Sequence, residues 1–305
     1  MDAPLVARRT IRPEIPSEIV RMLRAARGMP QDQARDAMRA VYLPLLKTQP
    51  RESFTIEMDL AYGPHARHRL DVHVPKPRPT GAPVVMFFFG GGFVRGHKNE
   101  VGELLFGNVA DFFARNGYIG INANYRLAEH AGWPAGGEDV GAAVAWARQN
   151  VAVYGGDPGR IFIMGHSSGA THVATYAFRP ELHPSGGPGI RGVLCMSGNY
   201  FLNQEKVDPN HVAYYGADMS RWNERSLIGN ATWRDFAVFL STAEHEPFPF
   251  NRSFVAMTDT LCAKGGRMPR IKYFLEHNHS SEQMAIGSGD PTIEHELLDF
   301  VRSRL

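Results

Sequence analysis

Gly165-His166-Ser167-Ser168-Gly169 stands between an apolar run, 160–164, and a stretch of helical spacing through Ala170, Val173, Ala174 and Ala177. It is a G-x-S-x-G pentapeptide in a strand–turn–helix context, the setting of a nucleophilic serine. A turn this sharp strains the backbone at Ser167 and lifts its hydroxyl above the sheet edge. It leaves no room for a Cβ two positions to either side. A second glycine cluster, Phe89-Gly90-Gly91-Gly92-Phe93, follows the apolar run 83–89. Acyl transfer builds negative charge on a carbonyl oxygen. Preorganised backbone N–H groups stabilise that charge, and losing one donor costs about 3 kcal/mol. Gly91 and Gly92 are the expected donors from this loop, with the N–H of Ser168 completing the oxyanion hole. The plain alternatives are a Gly/Ser turn that merely starts a helix and a flexible glycine hinge. The flanking elements argue against the first, and the presence of Ser167 against the second.

A serine nucleophile needs a base and an acid that orients it; for a serine on a strand–turn–helix elbow of this kind the expected chain order is Ser, acid, His. Thirteen histidines are present, so a histidine by itself means little. The base belongs just after the last strand, where Glu276-His277-Asn278-His279 follows the run 271–275. His277 is nearer the strand and reads as structural, so His279 is the expected base. The acid belongs after the preceding strand, where the run 236–240 leads into Ser241-Thr242-Ala243-Glu244-His245-Glu246-Pro247. Glu244 and Glu246 compete, one of them being a solvated loop carboxylate, and Glu246 is favoured. In this scheme Ser167 attacks, His279 takes and returns the proton, and Glu246 fixes the imidazole tautomer and stabilises the imidazolium.

The elements that must hold these residues show in the periodicity. Ser17 can cap a helix carrying Ile19, Leu23 and Ala26 that Gly28 stops, and a second helical pattern uses Ala34, Met38, Val41 and Leu45, with Pro44 disturbing its end. Phe54, Ile56, Met58 and Leu60 alternate with polar residues, as do Leu70, Val72 and Val74. With Tyr62-Gly63-Pro64 between them, they predict an antiparallel hairpin. From residue 83 the strands become continuous apolar runs, the mark of burial on both faces: 83–89, 118–123, 160–164, 190–196, 236–240 and 271–275. Helical patterns through Phe112, Val144, Ala174, Met257 and Leu298 alternate with them. The expected architecture is α/β, a mostly parallel sheet of about eight strands with helices on both faces. The interval 199–232 is rich in Tyr, Asn, Asp and Trp without a clear period, and reads as an excursion above the sheet.

The bulk properties exclude more than they assign. The chain has 305 residues, 43% of them apolar and 21% charged, an ordinary globular balance. Its 31 glycines and 21 prolines, without a collagen-like period, point to many tight turns. A formal charge of +2 with no long block of like charge gives no footprint for nucleic acid. Cys195 and Cys262 are too far apart for a metal-ligand spacing and read as small core residues. No zinc-type histidine spacing and no nucleotide fingerprint stand out, so no metal and no cofactor are expected. His65, His68 and His73 read as surface residues of the hairpin, and Asp157 as a structural turn residue. The opening residues carry no apolar run of leader length, and the run 83–89 is too short to span a bilayer. A cytoplasmic protein without a membrane span is expected, and a homo-oligomer stays open.

Four stretches carry a resemblance: FFFGGGFVRGHK, NYRLAEHAGWPAGGEDVGAAVAW, YGGDPGRIFIMGHSSGATHVA and EHNHSSEQ. In order and content they resemble the α/β-hydrolase fold, specifically serine carboxylesterases of the hormone-sensitive-lipase and acetyl-esterase/arylformamidase kind. The likeness reaches from about residue 54 to the C-terminus. The pentapeptide GHSSG is closer to the arylformamidase-like branch than the G-D-S-A-G of the lipase-like one. The resemblance implies that AEHEP, at 243–247, bears the acid at Glu246, with Glu in place of the commoner Asp, and that HNH bears the base at His279. It also shows a departure: the family usually has a histidine immediately before the three glycines, where this chain has Phe89. That histidine braces the loop rather than transferring protons, so Phe89 reads as a packing residue.

Residues 1–50 then read as a helical cap segment and 51–305 as the catalytic domain, with 199–232 as a cap insertion. Phe93, His166, Tyr200, Tyr215, Trp222 and Phe248 are the expected substrate-binding residues, with Phe201, Tyr214 and Phe250 as further candidates for an aromatic pocket. For each aromatic the plain alternative is core packing. The reading that follows is hydrolysis of small to medium carboxylic esters. Amide, formamide, carbamate or lactone hydrolysis by the same triad is the alternative, and a catalytically silent binding module the remote one.

Overall fold

The computed structural model describes residues 16–102 and 104–305. The reading of the first fifteen residues as lacking a leader falls outside them. Eight strands form one sheet: β1 (Phe54–Ala61), β2 (Arg69–Pro75), β3 (Ala82–Phe88), β4 (Ile119–Ala123), β5 (Gly156–His166), β6 (Gly192–Met196), β7 (Ala237–His245) and β8 (Arg270–Asn278). Their order is β1-β2-β4-β3-β5-β6-β7-β8. β1 and β2 pair antiparallel, β2 meets β4 antiparallel, and every pair from β4 to β8 is parallel. Strands β3 to β6 are enclosed on both faces. Val84, Phe87, Ile121, Ile163, Leu194 and their neighbours have essentially no exposure, which is why these segments read as unbroken apolar runs.

Helices α1 (Ser17–Ala25), α2 (Gln31–Lys47), α3 (Gly107–Arg115), α4 (Ala135–Asn150), α5 (Ser168–Phe178), α6 (Pro209–Tyr215), α7 (Trp222–Arg225), α8 (Phe248–Gly265), α9 (His279–Met284) and α10 (Pro291–Arg302) surround the sheet. α2 runs through Pro44 to Lys47, beyond the end expected from the proline, because burial of Tyr42 and Leu46 holds the last turn. β7 extends to His245 and carries the chain closer to Glu246 than the apolar run alone suggests. β8 departs from the both-faces reading. It is the sheet edge, and Ile271, Tyr273 and Leu275 are each 40–51% exposed.

The hairpin histidines are not all on the surface. His68 and His73 are buried. His68 Nε2 lies 3.0 Å from Asp139, and His73 Nδ1 lies 2.7 Å from Asp111. Strand periodicity marks which face a residue takes, but the acids that receive these rings come from α4 and α3, far along the chain. Cys195 is buried and Cys262 partly so, neither in a disulfide. No helix among the described residues is long and apolar enough to cross a membrane.

Candidate active site

β5 delivers the chain to Ser167, whose φ of +57° is left-handed, and α5 starts at the next residue. Such a conformation costs a serine on the order of 1–3 kcal/mol and persists only where its surroundings enforce it. Two glycines are among those surroundings. A Cβ on Gly165 would lie 2.3 Å from the Gly169 carbonyl oxygen, and one on Gly169 would lie 2.1 Å from that of Phe88. The pentapeptide glycines are therefore needed for the close crossing of β3, β5 and α5.

Ser167 Oγ is 3.0 Å from His279 Nε2, and His279 Nδ1 is 2.8 Å from Glu246 Oε2. His279 is the first residue of α9. Asn278 caps that helix, accepting from the N–H groups of Ser280 and Ser281 at 3.1 and 2.9 Å. His166 adds a support that was not read from sequence: its Nε2–H donates to the His279 carbonyl at 2.8 Å. Burial first, and then the His279 charge, hold His166 well below the usual histidine range, so it stays neutral. For His279 burial acts downward, but the charge and hydrogen bond of Glu246 outweigh it, and the net shift is upward.

The competing residues lie elsewhere. His277 is fully buried, with its ring nitrogens 3.1 Å from Ser281 Oγ and 3.0 Å from Thr292 Oγ1. Glu244 accepts the Glu276 N–H at 2.7 Å. Among the described residues, the grouping spaced for a metal ion is Glu244, His245 and Glu276. Arg24 and Arg27 already hold the Glu276 carboxylate at 2.5 and 2.7 Å.

Gly91, Gly92 and Ser168 border the same cavity as Ser167. As the first residue of α5, Ser168 has an N–H with no helical carbonyl to receive it. The Gly91 N–H, in contrast, donates to Ser168 Oγ at 2.9 Å. In the resting site one expected oxyanion donor is thus already engaged by the neighbouring hydroxyl. Beyond the glycines the loop is pinned by Lys98, which is fully buried. Its Nζ lies 2.6 Å from Asp71 Oδ1, and its N–H donates to Asn124 at 2.6 Å. Phe89 is fully buried and stacks on Tyr125 at 4.6 Å, and Tyr125 Oη donates to the Phe89 carbonyl at 2.9 Å.

The cavity over Ser167 has a volume of about 700 Å³ and is lined by Phe93, His166 and Phe250 among others. Six of the candidate lining residues are not there: Phe201 and Tyr214 from the further candidates, and Tyr200, Tyr215, Trp222 and Phe248 from the expected set. Tyr215 and Trp222 pack with Phe93, Leu202 and Tyr214 in a small apolar cluster, Tyr200 lies in the main core, and Phe248 is 72% exposed at the start of α8. Composition marked this region as aromatic, but the rings serve to pack the 199–232 excursion on the domain. That excursion lends the cavity Asn199, Asp208, Asn210 and His211, and α2 lends Asp32, Arg35 and Arg39. The α2 residues escaped the sequence reading; their spacing of three and four along a helix was the available sign.

Residues 70–182 match the BD-FAE family model. Esterase LipC of Mycobacterium tuberculosis is 32% identical over 148 residues, covering 46% of this chain and 36% of that protein. A probable isoprenylcysteine alpha-carbonyl methylesterase, ICMEL1 of Oryza sativa subsp. japonica, is 33% identical over 152 residues, 47% and 34% of the two chains. The chain thus spans about a third of the length of these curated relatives. Among solved structures, esterase B from Lactobacillus rhamnosis aligns with a TM-score of 0.71 at 16% identity, over 94% of this chain and 95% of that one. Sheet order and likenesses agree on the α/β-hydrolase fold, and the chain is similar to esterases over part of their length.

Proposed function

We propose that this chain is a serine carboxylesterase that cleaves small to medium carboxylic esters through an acyl-enzyme. The observation that carries the reading is the unbroken line from Ser167 Oγ through His279 to Glu246, with links of 3.0 and 2.8 Å. With Glu246 accepting at Nδ1, His279 keeps Nε2 free to receive a proton. Ser167 attacks the ester carbonyl as His279 takes its proton. The oxyanion meets the N–H groups of Gly92 and Ser168, and that of Gly91 once Ser168 Oγ yields it. The imidazolium protonates the leaving alkoxide, and Glu246 stabilises it meanwhile. Water then attacks the acyl-enzyme with His279 as base, and the acid is released.

A cavity of about 700 Å³ suits a small or medium ester. Its lining favours a substrate with a polar portion over one that is apolar throughout: Arg35, Arg39 and Asp208 border it beside Phe93, Phe106 and Phe250. Free thiols at Cys195 and Cys262 fit a reducing, cytoplasmic setting. The test is a panel of p-nitrophenyl esters of increasing acyl length, beside p-nitroacetanilide, on wild type and Ser167→Ala. Ester turnover lost in the variant supports the reading. Anilide turnover matching the ester would replace it with amide hydrolysis, and turnover surviving in Ser167→Ala would refute it.

A further inference from the structure

Behind the triad lies a second carboxyl group that acyl transfer does not use. Glu282 is fully buried in α9, one turn beyond His279. Ser241 Oγ donates to its Oε1 at 2.6 Å. Its Oε2 meets Ser197 Oγ, and the same Ser197 Oγ meets Glu246 Oε1, on the carboxyl whose other oxygen receives His279. Ser197 follows β6 with a left-handed φ of +44°, and its N–H is tied to the Ser241 carbonyl at 3.0 Å. The backbone accepts strain here to hold one hydroxyl between two carboxyl groups.

Counting protons fixes the state of this cluster. A serine hydroxyl has one proton to give. With both carboxyls ionised it could serve only one. The other would set a bare anionic oxygen against the hydroxyl's lone pairs, beside a second anion, in a buried site. One added proton makes every contact a hydrogen bond. Glu282 donates to Ser197 Oγ, Ser197 donates to Glu246 Oε1, and His279 Nδ1–H donates to Glu246 Oε2. Glu246 faces the ring that becomes positive, whereas Glu282 meets neutral hydroxyls, so the proton resides on Glu282. The titratable groups that bear on Glu282 are Glu246 from the loop after β7, His279 from its own helix and Tyr200 from the loop after β6. Burial, and then the Glu246 charge, push its carboxyl up to about 7.

We propose that Glu282 is a positioning residue, a neutral carboxylic acid that acts through Ser197 to hold Glu246 as the single anion behind His279. This rests on the serine-hydrolase reading above. The test follows kcat and KM for p-nitrophenyl acetate against pH in wild type, Glu282→Gln, Glu282→Ala and Ser197→Ala, with Ser167→Ala as reference. Glutamine retains a neutral hydrogen-bonding group, so below neutral pH its kcat stays within about threefold of wild type, while both alanine variants lose about tenfold or more at unchanged KM. The wild-type kcat rises through the His279 ionisation and falls again on the alkaline side as Glu282 loses its proton, whereas Glu282→Gln lacks that alkaline fall. Glutamine as damaging as alanine, alanine variants at wild-type kcat, or the same form of profile in wild type and Glu282→Gln would overturn the proposal. Should Glu282→Ala fail to fold, the glutamine profile decides alone. Turnover retained in Ser167→Ala would instead sink the serine-hydrolase reading, so the two failures are distinguishable.

Discussion

Phe89 stands where the resembling enzymes carry a histidine, and the structure allows the consequence of changing it to be worked out. The ring is fully buried, stacked on Tyr125 at 4.6 Å with 23° between planes and 5.3 Å from Phe106. A Cβ on Gly96 would sit 2.5 Å from its edge, so the loop after the glycines closes directly over it. Phe89→Ala empties that space and removes both ring contacts, for a cost of about 3–5 kcal/mol. For a chain of this size that corresponds to a fall in Tm of roughly 5–8 °C. Phe89→His keeps much of the volume but buries an imidazole among rings, costing roughly 1–3 kcal/mol if it finds no partner. The bond from Tyr125 to the Phe89 carbonyl involves backbone and survives both changes. Turnover should therefore change by less than about tenfold in either variant, since the backbone donors remain. Thermal unfolding by circular dichroism and kcat on p-nitrophenyl acetate, measured on the same samples, check this. A Phe89→Ala protein with unchanged Tm and collapsed turnover would refute the packing argument and make the ring a direct support of the oxyanion loop.

Glu246→Gln should lower kcat by several orders of magnitude while Glu244→Gln, which disturbs contacts to the Glu276 N–H and the His245 ring but none to the triad, stays within a few-fold; steady-state kinetics of the pair decide between them. His279 must be neutral to act as base, and its pKa is raised, so kcat/KM should fall as pH drops through a value above the ordinary histidine range. Glu246→Gln removes the charge that most raises it, so the acid limb of any residual activity should move to lower pH. Lys98→Met leaves Asp71 buried without its cation and should cost about 3–5 kcal/mol, read by urea unfolding, with Lys98→Met/Asp71→Leu recovering part of the loss.

What could be read from the sequence was what local pattern determines. Continuous apolar runs located the parallel strands because β3 to β6 are covered on both faces. The elbow around Ser167 was legible because backbone crowding dictates its glycines. His279 and Glu246 followed from their places after β8 and β7. The cavity lining was not legible, because it depends on how the 199–232 excursion and α2 fold back over the sheet. Tyr215 and Trp222 look like pocket residues by composition, yet they bury against Phe93 and Tyr214 to anchor that excursion. The buried pairs of His68 and His73, and the meeting of Glu282 with Ser197, join segments far apart in the chain, and no local period encodes them.

The acyl-enzyme on Ser167 is the centre of this account, and rapid mixing with a p-nitrophenyl ester tests it most directly. The account predicts a burst of p-nitrophenolate approaching one per protein molecule when deacylation is the slower step, together with acid-quenched protein carrying the acyl group on the peptide that contains Ser167. Ser167→Ala should give neither burst nor adduct. An acyl group found on another residue, or steady ester turnover by Ser167→Ala at the wild-type rate, would contradict it.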